Sequence, residues 1–259
     1  MKKILALFLA ISLLPSYAFA ITQSLDLESS SSQYASRADE AALDVTGGIT
    51  MECWAKLESQ PSSGTQGMYF QSKWQDGGGA PASYQFRYYD AGTGAYALLA
   101  SFKDGASSFF NPEVSYSASL ATWTHFAVTN DTSGNTKFYI NATQQGATQV
   151  GPTNIINSSA AFGIGANNIS GTPNNFIDGK LSLCRLWSVV RTQAEIDANK
   201  CVVLGATTNL QGEWQFDNAY TDNSGNGLTL TAANSPSFSA DVPSCFAVAT
   251  PANLFIGDF

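Results

Sequence analysis

Apolar and polar residues alternate along much of this chain with a period of two. "ITMECWAKL" puts Ile49, Met51, Cys53, Ala55 and Leu57 on one side. "SYQFRYY" sets Tyr84, Phe86 and Tyr88 against polar neighbours. "LQGEWQF" sets Leu210, Gly212, Trp214 and Phe216 against Gln211, Glu213 and Gln215. Successive side chains of a strand point to opposite faces, so the alternation predicts half-buried β-strands. Turn signals separate the runs: Asp76-Gly77, Asp104-Gly105, Ser133-Gly134, Asp178-Gly179 and "DNSGNG" at 222–227. Many short strands joined by such turns predict an all-β fold, a two-sheet antiparallel sandwich or jelly roll.

One segment breaks the period. "RTQAEIDANK" places Thr192 at an N-cap and Glu195 three residues on. The hydroxyl can take a free N–H of the first turn while the carboxylate reaches back to the cap, so a short helix is expected near 192–200. Lys200 falls near its C-terminal end, where the helix dipole favours a cation.

The ends read differently. "MKKILALFLAISLLPSYAFA" has a basic start, an apolar run from Ile4 to Leu14 and an Ala-Phe-Ala cleavage pattern. That is the form of a secretory signal peptide over 1–20. Its apolar run is shorter than the ~20 residues a bilayer span needs. The expected product is exported by the Sec route, secreted or held at the cell surface with the periplasm as an alternative, and has no membrane span. One domain is expected over 21–246, with 247–259 as a tail or last strand. Removing the leader leaves 259 − 20 = 239 residues and takes the formal charge from −8 to −10. An acidic surface argues against nucleic acid and anionic membranes.

Four cysteines remain: Cys53, Cys184, Cys201 and Cys245. An even count in an oxidising compartment suggests up to two bridges, and sequence allows three pairings. Cys201 follows the short helix and Cys245 ends the last strand-like region, so a Cys201–Cys245 bridge could tie the C-terminal segment down. Cys53 and Cys184 lie inside strands, as a buried bridge or two packed thiols. No C-x-x-C and no Cys/His cluster occurs, which argues against structural zinc.

Four motifs in order are specific enough to suggest a family. They are the opening "SLDLESSSSQYASRADEAALDVTGGITMECWAKL" (24–57), "ATWTHFAVTNDTSGNTKFYIN" (121–141), "FIDGKLSLCRLWSVVRTQAEI" (176–196) and "LQGEWQFDNAYTDNSGNGLTL" (210–230). With these the chain resembles the laminin-G-like and pentraxin-like jelly rolls of the concanavalin A-like lectin/glucanase superfamily. The resemblance implies that His125, the only histidine, is a structural strand residue.

It also bears on chemistry. Glucanases of this sandwich carry an E-x-D-x-E or E-x-D-x-x-E strand, whose carboxylates act as nucleophile and acid. Here the one E-x-D is Glu195 and Asp197, Asn199 and Lys200 stand where the third acid would be, and Glu195 falls in the helix cap. No enzymatic activity is expected. Pentraxin-like members hold calcium with a D-N pair and a later acidic group. The corresponding candidates here are Asp76, Asn167 and Asn168, with Gly77 in place of the first Asn. Calcium is therefore a candidate cofactor, on a reduced set of carboxylates.

Aromatics between 67 and 112 (Trp74, Tyr88, Tyr89, Tyr96, Phe109 and Phe110) are placed in or beside loop-rich segments. The candidate ligand-binding set is Trp74, Asp76, Arg87 and Tyr89, from "SKWQDGGGAPASYQFRYY". The expected partner is a glycan or a surface protein, and a homo-oligomer is open to it. The alternatives are an assembly component of a surface appendage and a divergent glycoside hydrolase.

Overall fold

The computed structural model describes residues 21–62, 67–92 and 94–246. The proposed signal peptide and the segment 247–259 lie outside them. In chain order the strands are β1 (Ser24–Leu27), β2 (Tyr34–Arg37), β3 (Ile49–Leu57), β4 (Gly67–Trp74), β5 (Ala82–Asp90), β6 (Tyr96–Lys103), β7 (Phe109–Phe110) and β8 (Glu113–Ser115). They continue as β9 (Thr124–Asn130), β10 (Asn135–Ile140), β11 (Thr143–Val150), β12 (Phe162–Ile164) and β13 (Gly179–Trp187). After the helix α1 (Gln193–Asn199) come β14 (Leu210–Trp214), β15 (Thr231–Ala233) and β16 (Ser237–Ser239).

They form two antiparallel sheets of eight strands, a jelly-roll sandwich. The first sheet runs β11-β10-β9-β3-β13-β1-β16, with β14 also on β13. The second runs β15-β2-β12-β4-β5-β6-β7, with β8 also on β6. The inward faces meet in one apolar core. Ile49, Met51, Cys53, Ala55 and Leu57 all face it, as do Tyr84, Phe86 and Tyr88. Rings cross between the sheets: Phe70 stacks on Phe126 at 4.9 Å and Phe162 on Trp214 at 5.2 Å.

One place breaks the alternation. Leu183 has a positive φ of 44°, and the β13–β3 register shifts between Ser182 and Arg185. This bulge turns Leu183 outward and Cys184 into the core beside Cys53. A bulge leaves ladder groups unpaired. Gln71, fully buried, donates its amide across the interior to the Glu52 and Arg185 carbonyls at 3.0 and 2.9 Å. Cys53 and Cys184 are bridged there, with Cα atoms 4.1 Å apart. A second bridge joins Cys201 to Cys245.

α1 begins as its sequence dictates. Thr192 accepts from the Glu195 N–H, and the Glu195 carboxylate accepts from the Thr192 N–H at 2.8 Å. Ile196 packs the helix onto Ala127, Tyr139 and Ala142, on the outer face of the first sheet. Among the described residues no helix is long and apolar enough to cross a membrane. The strand expected at "SYQFRYY" is the middle one of three long strands, β4, β5 and β6, and the aromatics placed in or beside loop-rich segments between 67 and 112 lie on or next to strands, with Trp74, Tyr88, Tyr89 and Tyr96 on these three. Tyr88, and with it Tyr96 and Phe110, packs on the core. Trp74, Tyr89 and Phe109 stay outside the main core.

Candidate functional site

The outer face of the second sheet carries the polar half of the alternation. Because Tyr84, Phe86 and Tyr88 face inward, Gln85, Arg87 and Tyr89 of β5 face out. The register sets Arg87 between Tyr69 of β4 and Leu99 of β6. The Arg87 guanidinium lies 5.1 Å from the Tyr69 ring centre and 5.2 Å from that of Tyr89, and it donates to the Tyr69 hydroxyl. Gly67 makes the room: a Cβ there would come within 2.8 Å of Arg87 Cδ. Tyr89 packs on Ala97 and Leu99 and donates its hydroxyl to Glu113 of β8. Burial, reinforced by that carboxylate, pushes the Tyr89 phenol up to about 12. Two polar atoms on this face, Gln85 Oε1 and Arg87 Nε, are buried without a hydrogen-bond partner.

Trp74 stands at the other end of the face. It is 9% exposed, and its ring centre is 5.6 Å from that of Phe109, which is 58% exposed. Lys103 Nζ lies 5.4 Å from the Phe109 ring. The strand then turns through Asp76, which is exposed. The Asp76 carboxylate accepts from the Asn167 side-chain amide at 3.1 and 3.2 Å and from that of Asn174 at 3.3 Å. The Asp76 backbone N–H donates to Asn168 Oδ1 at 3.1 Å. These asparagines sit on an excursion after β12 that folds back over the sheet. Gly163 lets it settle, since a Cβ there would meet Ile169 Cγ1 at 2.5 Å. Burial raises the Tyr69 phenol; the Arg87 charge opposes this and the Asp76 charge adds to it.

The four ligand candidates therefore share one face without converging at one point. Trp74 pairs with Ala82, five positions along β5 from Arg87, or about 16 Å of strand. Tyr69, the register partner of Arg87, lies at the Arg87 end. The metal candidates Asp76, Asn167 and Asn168 do come together. Sequence reading missed Tyr69, Gln85, Glu113 and Asn174. Gln85 was visible as an outward position of its alternating run. Tyr69 was not, because "MYFQ" has no clear period and β4 shifts register between Tyr69 and Gln71.

A laminin-G-type family model, described as concanavalin A-like lectin/glucanases superfamily, matches residues 29–197. The chain belongs to this superfamily. Among solved structures it is similar to a Bacteroides ovatus protein proposed to bind carbohydrate, at 20% identity and a TM-score of 0.63, over 85% of this chain and 60% of that one. The chain thus spans only 60% of that protein's length. It is also similar to a heptameric SAP-like pentraxin from Limulus polyphemus, at 15% identity and a TM-score of 0.51, over 80% of this chain and 93% of that one. At these identities the likeness is one of fold. No curated protein matches the chain.

Calcium in this superfamily would need several free oxygen ligands. Here only Asp76 is a carboxylate, and the amide oxygens are engaged: Asn167 Oδ1 accepts from Ser72 Oγ at 2.7 Å and Asn168 Oδ1 from Asp76. The residues do not fit a calcium ion. Asp26, Glu28 and Glu58 also cluster, but Lys180 pairs with both Asp26 and Glu58. Asp222 of "DNSGNG" is spent on the N–H groups of Glu213, Ser224 and Leu228, as a structural turn.

The acids on the first sheet serve a buried network. Arg185 bridges Glu52 and Glu213, and Trp187 Nε1 donates to Glu52 at 2.9 Å. Fully buried His125 has Nε2 3.3 Å from Glu52 Oε2, and its ring meets Trp54 edge-on at 5.4 Å. Burial alone would raise the Glu52 carboxyl, but the His125 contact and the Arg185 charge reverse this and hold it at about 2. The network is sealed under the end of α1 and the segment after it, where Arg185 donates to the Asn199 carbonyl at 3.0 Å and the Gly205 N–H donates to Glu213 at 2.9 Å. Glu195 and Asp197 lie on the helix and not on a strand.

Proposed function

We propose that this chain is an exported, non-catalytic glycan-binding module whose ligand lies on the outer face of the second sheet. The carrying observation is Arg87, held between Tyr69 and Tyr89 with no carboxylate paired to it among the described residues. Both rings are buried beneath it, Tyr69 at 1% and Tyr89 at 7% exposure, so the half-buried Arg87 is the group left to meet a ligand, and an arginine fork suits hydroxyls and ring oxygens. Phe109 offers the exposed ring at the Trp74 end. The proposed carbohydrate binding of the Bacteroides neighbour is in keeping with this reading.

Export fits the leader-like first twenty residues and the two disulfides, which persist in oxidising compartments. A non-catalytic role fits the acids: Glu52 and Glu213 are buried and bridged by Arg185, away from any face a substrate could reach.

The test is a glycan array probed with residues 21–259 and with Arg87→Ala. Binding to a defined class of glycan that Arg87→Ala loses supports the reading. No glycan bound by folded protein contradicts it.

A further inference from the structure

Asp76 is exposed, yet its carboxylate is already oriented on three sides. Asn167 Nδ2 reaches both of its oxygens, and Asn174 Nδ2 reaches Oδ2. The amides themselves are fixed. Asn168 takes a backbone donor on its oxygen and gives its Nδ2 to the Thr172 carbonyl at 2.8 Å, so it cannot turn without losing both. Turning Asn167 would set its oxygen against the Asp76 carboxylate. The backbones of Asn167 and Asn174 also pair with each other, at 3.0 and 3.2 Å, which holds both amides in place.

We propose that these asparagine amides take the place of a cation at Asp76, so that the glycan face works without calcium and Asp76 itself accepts a sugar hydroxyl. The inference rests on the glycan-binding reading above. Its chemistry is direct. Amide N–H groups present partial positive charge, as an ion would, and hold the carboxylate in one geometry. A carboxylate has about four lone-pair directions. The amides use three, two on Oδ2 and one on Oδ1. A direction on Oδ1 stays open, on an exposed side chain next to Trp74. A ligand whose hydroxyl donates there needs no metal bridge.

Three measurements on the full mature chain test this. Calcium alone, titrated calorimetrically into the millimolar range, is expected to give no saturable heat at Asp76. Glycan binding is expected to be equal in calcium and in EGTA, and to fall at least tenfold in Asp76→Asn with the melting temperature nearly unchanged. The double variant Asn167→Asp, Asn168→Asp adds two carboxylates beside Asp76. It is expected to melt lower in EGTA and to recover in calcium. Saturable calcium binding that Asp76→Asn abolishes would overturn the proposal, as would glycan binding lost in EGTA. So would a double variant as stable as the wild type in EGTA, since the amides would then not be holding Asp76. Calcium heat that survives in Asp76→Asn lies elsewhere and leaves the proposal standing. If the wild type binds no glycan in either buffer, the glycan reading fails, and the calcium titration and the double variant still decide the amide network.

Discussion

Arg87 lies over two tyrosine rings, 5.1 Å from the centre of Tyr69 and 5.2 Å from that of Tyr89. Few cations here are placed this way. Arg37, Lys56, Lys73, Lys180, Arg185, Arg191 and Lys200 each pair with a carboxylate. Among the described residues Arg87, Lys103 and Lys137 do not, and the first two share the outer face of the second sheet. On a chain of formal charge −8, an arginine left on aromatic rings is available to a ligand.

The two ends of the aromatic pair should separate stability from binding. Trp74 is nearly buried and Phe109 is not. Trp74→Ala should therefore lower the melting temperature by several degrees, with a cost of about 3 kcal/mol or somewhat less, at the lower end for buried Trp→Ala. Phe109→Ala should cost under about 1.5 kcal/mol, the scale of one aromatic pair, while weakening glycan binding. Thermal melts beside binding curves check this. A Phe109→Ala protein that melts as low as Trp74→Ala would show the ring to be structural.

The Glu52 network makes a pH prediction. Its folded pKa, about 2, lies below the ordinary carboxyl value of 4.5. A depressed carboxyl stabilises the fold above the unfolded value and loses that contribution as pH falls towards 2. The shift corresponds to about 3 kcal/mol at neutral pH. Glu52→Gln should thus be strongly destabilised at pH 7, and its deficit against the wild type should shrink between pH 4.5 and 2. Denaturant melts across that range check it. A deficit independent of pH would mean that packing and not charge is lost.

Much of the fold was legible because core-facing apolar residues recur at every second position of β3 and β5, although both faces of these strands are largely buried. Thr192 and Glu195 likewise marked the helix start without tertiary help. What stayed hidden depends on places where the period slips. The bulge at Leu183 inverts the facing of Cys184, and the shift at Tyr69 conceals the ring beneath Arg87. The Asp76 partners were hidden for another reason. Asn167 and Asn174 are remote from it in sequence, and only the folded excursion after β12 brings their amides to its carboxylate.

The bridges carry a separate prediction. Non-reducing peptide mapping should recover Cys53 with Cys184 and Cys201 with Cys245. Sequence separations of 131 and 44 residues give about 5 and 4 kcal/mol of chain-entropy stabilisation as an upper scale. Paired Cys→Ala changes at 201 and 245 should lower the melting temperature without abolishing the sheet signal. A Cys53–Cys201 peptide would contradict this arrangement.

The capping box should matter to stability alone. Glu195→Ala should cost about 0.5–2 kcal/mol and leave glycan binding unchanged, since α1 covers the first sheet. A loss of binding with no change in melting would assign Glu195 a role that its place on the helix does not support.

The most direct measurement is calorimetric titration of one array-selected glycan into three folded proteins: wild type, Arg87→Ala and Lys137→Ala. Lys137 serves as the control, a cation on the opposite sheet with no carboxylate pair. The predicted result is at least a tenfold loss of affinity in an Arg87→Ala protein that stays folded at the assay temperature, its melting temperature lowered by the lost contacts to Tyr69 and Tyr89, with Lys137→Ala binding as the wild type does. Full affinity in Arg87→Ala, or a loss confined to Lys137→Ala, would remove the ligand from the second sheet and contradict the account.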